Sequence, residues 1–307
     1  MKFVVIGAGA VGGYFGAKLQ AGGEDVRFLV REGRHAELEQ NGLRVLATEG
    51  MIELKAHAVR RVEEIENCDI VIVAVKNYNL DEVLQSVSYL TNHGANVLTL
   101  MNGVEQFGKI RTLVSDKQIV GGVCHLESTF DHGLILQTGI TPLVILGSPS
   151  PEGMASASEV ASAFRRAKIK TVLSERIIAD VWKKFIFITA LSTVTSMTRS
   201  PIGPIITNDY SRKVLNRVVD EIASVAIALV PELPQTVSKE LLEQIERLPQ
   251  SMTSSMERDL ERGRPLEVEN LQGYLVRKAQ QLGVPVPTVT VCYNILKLRE
   301  HGQVDTR

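Results

Sequence analysis

The first 31 residues carry the feature that most constrains the fold of this 307-residue chain. The apolar run Lys2–Ile6 is typical of a buried parallel strand, and it leads directly into a G-x-G-x-x-G turn. The residues of this turn are Gly7, Ala8, Gly9, Ala10, Val11 and Gly12. A helix is predicted from residue 13 to residue 22, followed by a strand over 25–30. This order predicts a dinucleotide pyrophosphate on the open N–H groups of the helix, with an ordinary tight βα turn as the alternative.

Arg31 stands at the end of the second predicted strand. An acidic residue there would accept a hydrogen bond from the ribose 2′-OH of NAD, whereas an arginine suits the 2′-phosphate of NADP. Arg34 lies three residues further on and adds positive charge. We therefore expect NADP as the cofactor, and a solvated surface arginine is the alternative.

Strands and helices alternate through the first half of the chain. Helices are predicted over 32–41, 80–90 and 154–167, and strands over 43–59 (a peripheral hairpin), 68–75, 96–100, 119–127, 134–138, 143–146 and 170–173. Beyond residue 175 only helical patterns are convincing, over 177–197, 209–229, 238–248, 266–282 and 288–299. The fold class is therefore α/β, an N-terminal Rossmann-type doubly wound sheet with a C-terminal all-α domain. We expect an NADP-binding domain over 1–175 and a helical substrate or dimerisation domain over 176–307.

Composition narrows the class of partner and the compartment. The net charge is −1 without long runs of like charge, which does not favour nucleic-acid binding. Three widely spaced cysteines, Cys68, Cys124 and Cys292, indicate reduced thiols in a cytoplasmic protein rather than a disulfide framework or a metal site. The longest apolar stretch, 177–194, contains three charged residues and is expected to be a buried helix, not a membrane span. The apolar face of 209–229 fits either a domain core or a homodimer interface.

Two segments of the second half could carry chemistry. Carbonyl reduction needs an acid near the oxygen that becomes a hydroxyl, and Lys184 lies in a helix that is apolar on nearly every side. Such a lysine either extends to the surface or is held in a cleft. The hydroxyl cluster at 251–255 could bind a carboxylate at a helix start. Glu267 and Glu269 could serve the site or simply occupy the first turn of a helix.

The order and spacing of these motifs resemble those of ketopantoate reductases (2-dehydropantoate 2-reductases) over essentially the whole chain. The resemblance rests on the glycine turn, Arg31, Lys76, Met101-Asn102-Gly103-Val104, Trp182-x-Lys184, Ser254-Ser255-Met256 and Arg264-Pro265-x-Glu267. It implies a helical domain like that of phosphogluconate dehydrogenases and an active site in the cleft between the domains. The implied reaction is NADPH-dependent reduction of 2-dehydropantoate to (R)-pantoate, in the biosynthesis of pantothenate and coenzyme A.

The resemblance also implies a role for each site residue. Lys184 would donate the proton to the carbonyl oxygen, and Glu267 would orient it. The implied cofactor contacts are Gly7, Ala8, Gly9, Ala10, Val11, Gly12, Arg31, Lys76, Asn102, Leu126 and Glu267. The implied substrate contacts are Asn102, Lys184, Ser192 and Ser255, with the carboxylate on Ser255 and no metal.

The sequence departs from the family pattern at the substrate. The family carries asparagines four and eight residues after the catalytic lysine, where this chain has Ile188 and Ser192. A later asparagine position, near Ile202, is also apolar. Each lost hydrogen bond to a buried group costs about 1–3 kcal/mol. Two alternatives therefore stay open, a reductase of another branched 2-oxo acid and a non-catalytic NADP-binding protein, although the retained Lys184 and Glu267 argue against the second.

Overall fold

A computed structural model describes residues 1–301, except for the side chains of Ile140 and His301. The chain forms two compact units. The first comprises Met1–Met101 and Gln106–Asp180, and the second comprises Asn102–Glu105 and the chain from Val181 onward.

The first unit is built on one sheet whose centre is parallel. Its strands are β1 (Lys2–Ile6), β2 (Asp25–Leu29), β3 (Leu43–Ala47), β4 (Gly50–Leu54), β5 (His57–Val59), β6 (Ile70–Val73), β7 (Asn96–Thr99), β8 (Ile119–Asp131), β9 (Leu134–Gly147) and β10 (Lys170–Leu173). The order is β4-β3-β9-β8-β7-β6-β1-β2-β5, and β10 pairs with β9. All four residues of β6 are buried, as expected for an apolar strand covered on both faces.

The far half of the sheet differs from the prediction. The stretches 134–138 and 143–146 were expected as separate strands but form one strand, β9, antiparallel to β8. The register of the pairing shifts between His125 and Glu127 of β8, where residues 139–142 of β9 separate its two paired stretches. His132 and Gly133 both have positive φ (41° and 80°), which suits the two-residue turn of this hairpin. The predicted peripheral hairpin is confirmed for β3 and β4, whereas β5 joins β2 at the opposite edge.

Helices α1 (Ala10–Ala21), α2 (Glu32–Asn41), α3 (Leu80–Asn92) and α5 (Met154–Arg166) belong to the first unit, and α4 (Glu105–Ile110) begins one residue before its second segment. Gly42, with φ of 68°, ends α2 at the predicted residue. Phe15 of α1 and Phe164 of α5 stack with ring centroids 5.9 Å apart in the core. The glycine turn therefore precedes a helix that is firmly packed.

The described residues of the second unit form helices joined by turns and loops, without a strand. Its helices are α6 (Ile177–Thr198, whose first four residues group with the first unit), α7 (Ile202–Thr207), α8 (Asp209–Leu229), α9 (Val237–Glu246), α10 (Ser255–Glu261), α11 (Tyr274–Leu282) and α12 (Pro287–His301). Within residues 1–301, no helix combines the length and apolar character needed to cross a membrane.

The helix expected over 266–282 starts later and with a different geometry. Residues Glu269–Gly273 form a π-helical turn, and α11 follows it. The Gly273 N–H donates to the carbonyl of Val268, five residues back, at 2.9 Å. This wider turn connects the segment of Glu267 to α11, and such turns are frequent at functional sites.

Candidate active site

The glycine turn has the close backbone packing that its sequence predicts. Gly7 has φ of 97°, and a Cβ on Gly12 would stand 2.1 Å from the Gly7 carbonyl oxygen. Gly9 is the N-cap of α1, and apart from its neighbours along the chain no heavy atom of the described residues lies within 4 Å of the position of a Cβ there. The first N–H groups of α1 have no acceptor within the helix. The turn therefore suits a pyrophosphate that approaches the backbone at Gly9.

Arg34 supports the glycine turn through its hydrogen bond to Ala8. Its Nε donates to the carbonyl of Ala8 at 3.1 Å, and its Nη1 donates to Glu37 at 2.7 Å. The guanidinium also lies 4.4 Å from the ring centroid of Phe130. Only 14% of the Arg34 side chain is exposed, and its hydrogen bond holds the Ala8 peptide in place.

Arg31 lies at the N-cap of α2, and 72% of its side chain is exposed. Its Nη2 forms an ion pair with Glu82 and donates to Asn79 Oδ1 at 3.3 Å. The structure thus places an arginine, an amide and a carboxylate together beyond the end of β2. Glu82 and Asn79 were not singled out from the sequence, because a first-turn acidic residue of α3 is also what the helix dipole favours.

Lys76 lies beyond the end of another strand of the same sheet, and Leu126 lies at an irregularity within a strand. Lys76 follows β6 and precedes one 3₁₀ turn, Asn77–Asn79. Because β2, β1 and β6 are adjacent and parallel, Arg31, Gly7 and Lys76 follow strands that end at one edge of the sheet. Leu126 stands at the register shift of β8 and packs partly buried against the core.

In the second unit, α6 presents Lys184, Ile188 and Ser192 at four-residue spacing, and hence on one face. Lys184 and Ile188 are half-buried, and Ser192 is buried. The Ser192 hydroxyl donates to the Ile188 carbonyl at 2.5 Å and lies 3.2 Å from that of Thr189. Its single hydrogen is therefore committed to the helix, and only its lone pairs remain for a ligand.

The two neighbouring serines before α10 have different surroundings. Ser254 is the N-cap, 7% exposed, and its Oγ accepts from the N–H of Glu257 at 3.0 Å. Thr195 Oγ1 lies 2.8 Å from Ser254 Oγ and donates to the Leu191 carbonyl at 2.7 Å. Because a hydroxyl has one hydrogen, Ser254 donates to Thr195 in this chain of bonds. Ser255 is exposed at the first position of α10, and hence accessible to a ligand.

An aromatic cluster joins the segment of Lys184 to the helix that follows Glu267. The ring centroids of Trp182 and Phe185 lie 6.5 Å and 6.1 Å from that of Tyr274, the first residue of α11. Trp182, Lys184 and Phe185 are neighbours on α6, and Glu267 precedes the π-helical turn that leads into α11. The packing of α6 on α11 therefore fixes both segments in one unit.

A second connection concerns the loop of Asn102. Glu267 is buried, and its carbonyl accepts from the N–H groups of Asn270 and Leu271 at 3.1 and 3.0 Å. Asn270 Nδ2 in turn donates to Glu105 Oε2 at 2.9 Å. Residues 102–105 are thus held by the segment that carries Glu267. Sequence reasoning missed Glu105 and Asn270, since nothing in their local pattern pairs residues 165 positions apart.

The two most perturbed thiols and the grouping of possible metal ligands bear on whether the chain carries thiolate or metal chemistry. Burial raises the pKa of the Cys68 thiol to about 12, so this cysteine stays protonated. Burial also raises the pKa of the Cys292 thiol. Within residues 1–301, no three His, Cys, Asp or Glu side chains are grouped so as to hold a metal ion.

Comparison with known proteins identifies the family. Residues 3–149 match the family described as Ketopantoate reductase PanE/ApbA, and residues 176–300 match its C-terminal counterpart. The chain is also 30% identical to the uncharacterized oxidoreductase YkpB of Bacillus subtilis, over 98% of this chain and 99% of that protein. The chain belongs to the ketopantoate reductase family. The resemblance in the motifs is thereby confirmed, together with the oxidoreductase class.

Other members of the ketopantoate reductase family are similarly related. The chain is 28% identical to a 2-dehydropantoate 2-reductase of Nostoc, over 96% of this chain and 94% of that protein. A ketopantoate reductase structure from Ralstonia eutropha superposes with a TM-score of 0.89 at 26% identity, covering 99% and 100% of the two chains. D-mandelate dehydrogenase shares the fold, with a TM-score of 0.90, 22% identity and coverage of 98% and 99%. The predicted fold class is confirmed.

Proposed function

We propose that this protein catalyses the NADPH-dependent reduction of 2-dehydropantoate to (R)-pantoate, a step of pantothenate and coenzyme A biosynthesis. The observation that carries the proposal is the combination, in one chain of the ketopantoate reductase family, of the glycine turn with Arg31 and of Lys184 with Ser255 and Glu267. We assign cofactor binding to the domain predicted over residues 1–175 and substrate binding to the domain predicted over residues 176–307, with residues 102–105 grouping with the second.

The residues of the first unit fit NADP. The outer side of Gly9 accepts a close pyrophosphate, and the N–H groups at the start of α1 favour its charge. Arg31 meets the 2′-phosphate, and Lys76 and Leu126 add cofactor contacts from the same unit. Asn102 and Glu267, which belong to the second unit, are the remaining proposed cofactor contacts. When bound, NADPH supplies the hydride of the reaction.

The residues of the second unit bind the substrate and donate the proton. Lys184 carries a positive charge that polarises the C2 carbonyl, and its Nζ donates the proton to the oxygen as the hydroxyl forms. The lysine, left neutral, then recovers a proton from solvent. The Glu267 carboxylate orients Lys184. Ser255 holds the substrate carboxylate at the start of α10, and Asn102 contacts the substrate as well as the cofactor.

A second candidate substrate class is favoured by the face of α6. Ile188 offers no hydrogen bond to a substrate hydroxyl, and the hydrogen of Ser192 is committed to the Ile188 carbonyl. A branched 2-oxo acid whose side chain ends in an apolar group would contact this face without leaving an unpaired hydroxyl. The same residues, Lys184 and Ser255, would perform the reduction.

We also propose a homodimer formed through the helical domain. Tyr210 and Val214 of α8 are exposed large apolar side chains on a helix whose opposite face is buried in the core. The molar mass measured by light scattering tests this part of the proposal, and a monomer at micromolar concentration contradicts it.

The substrate is tested by following NADPH oxidation with ketopantoate and with a panel of branched 2-oxo acids that lack its hydroxyl. Turnover that is highest with ketopantoate supports the first candidate. A higher kcat/KM for the acids without a hydroxyl supports the second. Tight NADPH binding without turnover of any 2-oxo acid contradicts both and indicates a binding protein.

A further inference from the structure

The Glu82 carboxylate lies next to the Arg31 guanidinium, so its charge affects the binding of a ligand to Arg31. The Glu82 carboxylate and the Arg31 guanidinium form an ion pair, although 59% and 72% of their side chains are exposed. Glu82 belongs to the first turn of α3, whose dipole favours a carboxylate at that position. Asn79, the N-cap of α3, places its amide oxygen 3.3 Å from the same Arg31 nitrogen.

We propose that Glu82 is a specificity-determining residue that limits the preference of the enzyme for NADPH over NADH. The inference rests on the proposed role of Arg31 as the partner of the 2′-phosphate. The Glu82 carboxylate lies against the Arg31 guanidinium, so a 2′-phosphate with about two negative charges must approach a negative group as well as the positive one. A 2′-hydroxyl brings no charge, so the carboxylate does not repel it.

The geometry of the Arg31–Glu82 pair determines how differently it binds a 2′-phosphate and a 2′-hydroxyl. Both contacts of Arg31, to Glu82 and to Asn79, use Nη2. A guanidinium has five N–H donors, so a phosphate can bind Arg31 while Glu82 stays in place. The carboxylate then remains next to the phosphate and weakens its binding. The repulsion acts between solvent-exposed charges, so it is moderate and sensitive to salt.

The neighbouring acidic residue Asp81 provides a matched control. It occupies the same first turn of α3, and its carboxylate accepts from Lys109 Nζ at 2.7 Å. Replacing Asp81 changes the net charge and the helix dipole interaction as replacing Glu82 does. It leaves the carboxylate on Arg31 in place.

The experiment measures the dissociation constants of NADPH, NADH, 2′,5′-ADP and ADP for the full chain by titration calorimetry. For Glu82→Gln, the constants of NADPH and 2′,5′-ADP are expected to fall by about 3- to 10-fold at low salt, with NADH and ADP changing less than about twofold. The effect should shrink at about 0.5 M salt, because screening is then stronger. Asp81→Asn should change the ratio of the NADPH and NADH constants less than Glu82→Gln does.

Unchanged or weaker NADPH binding in Glu82→Gln overturns the inference, since the carboxylate then either has no effect or holds Arg31 in place for the phosphate. An equal change in Asp81→Asn also overturns it, because the effect is then one of net charge. Arg31→Ala distinguishes a failure of the proposed Arg31 role from a failure of the Glu82 role alone. Equal loss of NADPH and NADH in Arg31→Ala removes the phosphate role itself, and both proposals fail. A selective loss of NADPH there, without an effect of Glu82→Gln, removes only the role of Glu82.

Discussion

The adjacent serines Ser254 and Ser255 offer the sharpest test of the substrate site proposed for the helical unit. Ser254 is buried and bonded on both sides, to the N–H of Glu257 and to Thr195 Oγ1. Ser255 is exposed at the first turn of α10. Replacing each by alanine removes one oxygen atom, and the two variants should fail in opposite ways.

The size of each effect follows from the contacts. Ser254→Ala loses an N-cap bond, which contributes about 1 kcal/mol, and a buried bond to Thr195 that contributes about the same. We expect about 2 kcal/mol less stability and a urea midpoint lower by roughly 0.5–1 M. Ser255→Ala should change stability by less than about 0.5 kcal/mol. It loses a hydrogen bond to a charged carboxylate, so KM should rise by about 10- to 100-fold.

The assays are urea unfolding followed by circular dichroism, and steady-state kinetics with a saturating concentration of NADPH. Ser254→Ala should retain a KM within a few-fold of the parent under conditions where it is folded. An equal drop of the urea midpoint in Ser255→Ala and Ser254→Ala would contradict the different contacts of the two serines. A KM in Ser255→Ala equal to that of the parent would contradict the role of Ser255 in binding the carboxylate.

Perturbations at four further positions test the proposed site and the core around it. Lys184→Ala should lower kcat by about 10²–10⁴-fold with an unchanged dissociation constant for NADPH, and an unchanged kcat would remove Lys184 from the mechanism. Gly12→Ala should lower the melting temperature because its Cβ would stand 2.1 Å from the Gly7 carbonyl oxygen. Gly9→Ala has a φ of −88° that alanine tolerates, so it should fold normally but bind NADPH at least about tenfold more weakly, and parent-like binding would refute the pyrophosphate position. Burial raises the pKa of the Cys68 thiol to about 12, so alkylation of Cys68, measured by peptide mass spectrometry at pH 8, should be much slower in the native chain than in urea. Because that folded pKa lies above the unfolded value of about 8.5, the stabilising contribution of the protonated thiol is lost as the pH rises from about 9 toward 12, and Cys68→Ala should remove this component of the alkaline loss of stability.

Local signals predicted those elements whose ends are set by nearby residues. Helix α8 begins and ends at the predicted residues, and Asn208 caps it by accepting from the N–H groups of Tyr210 and Ser211. Strand β6 reads as an uninterrupted apolar run because it is buried throughout. The joined strand β9 was missed since its middle, around Gly139, interrupts the apolar pattern and only the pairing with β8 makes it continuous. Short helices such as α7 provide too few periodic positions to be recognised.

The site residues divide in the same way. The glycine turn was predicted from residue type and spacing, whereas Lys184 was singled out by its place in the family motif, and the roles proposed for both stay predictions. The commitment of Arg34 to the Ala8 carbonyl and of the Ser192 hydroxyl to its own helix was not visible, since both depend on which acceptor a side chain meets in three dimensions. The ion pair of Glu82 with Arg31 joins residues 51 positions apart, a separation that no local pattern reports.

The bond between Asn270 and Glu105 has a consequence for protein engineering. Residues 102–105 belong to the helical unit although the chain on either side of them belongs to the first unit. A chimera of two family members joined by one crossover near residue 176 would therefore combine a 102–105 segment from one parent with a 267–270 segment from the other. Functional recombination should require that these two short segments come from the same parent, which makes them one unit of inheritance despite their distance in the sequence.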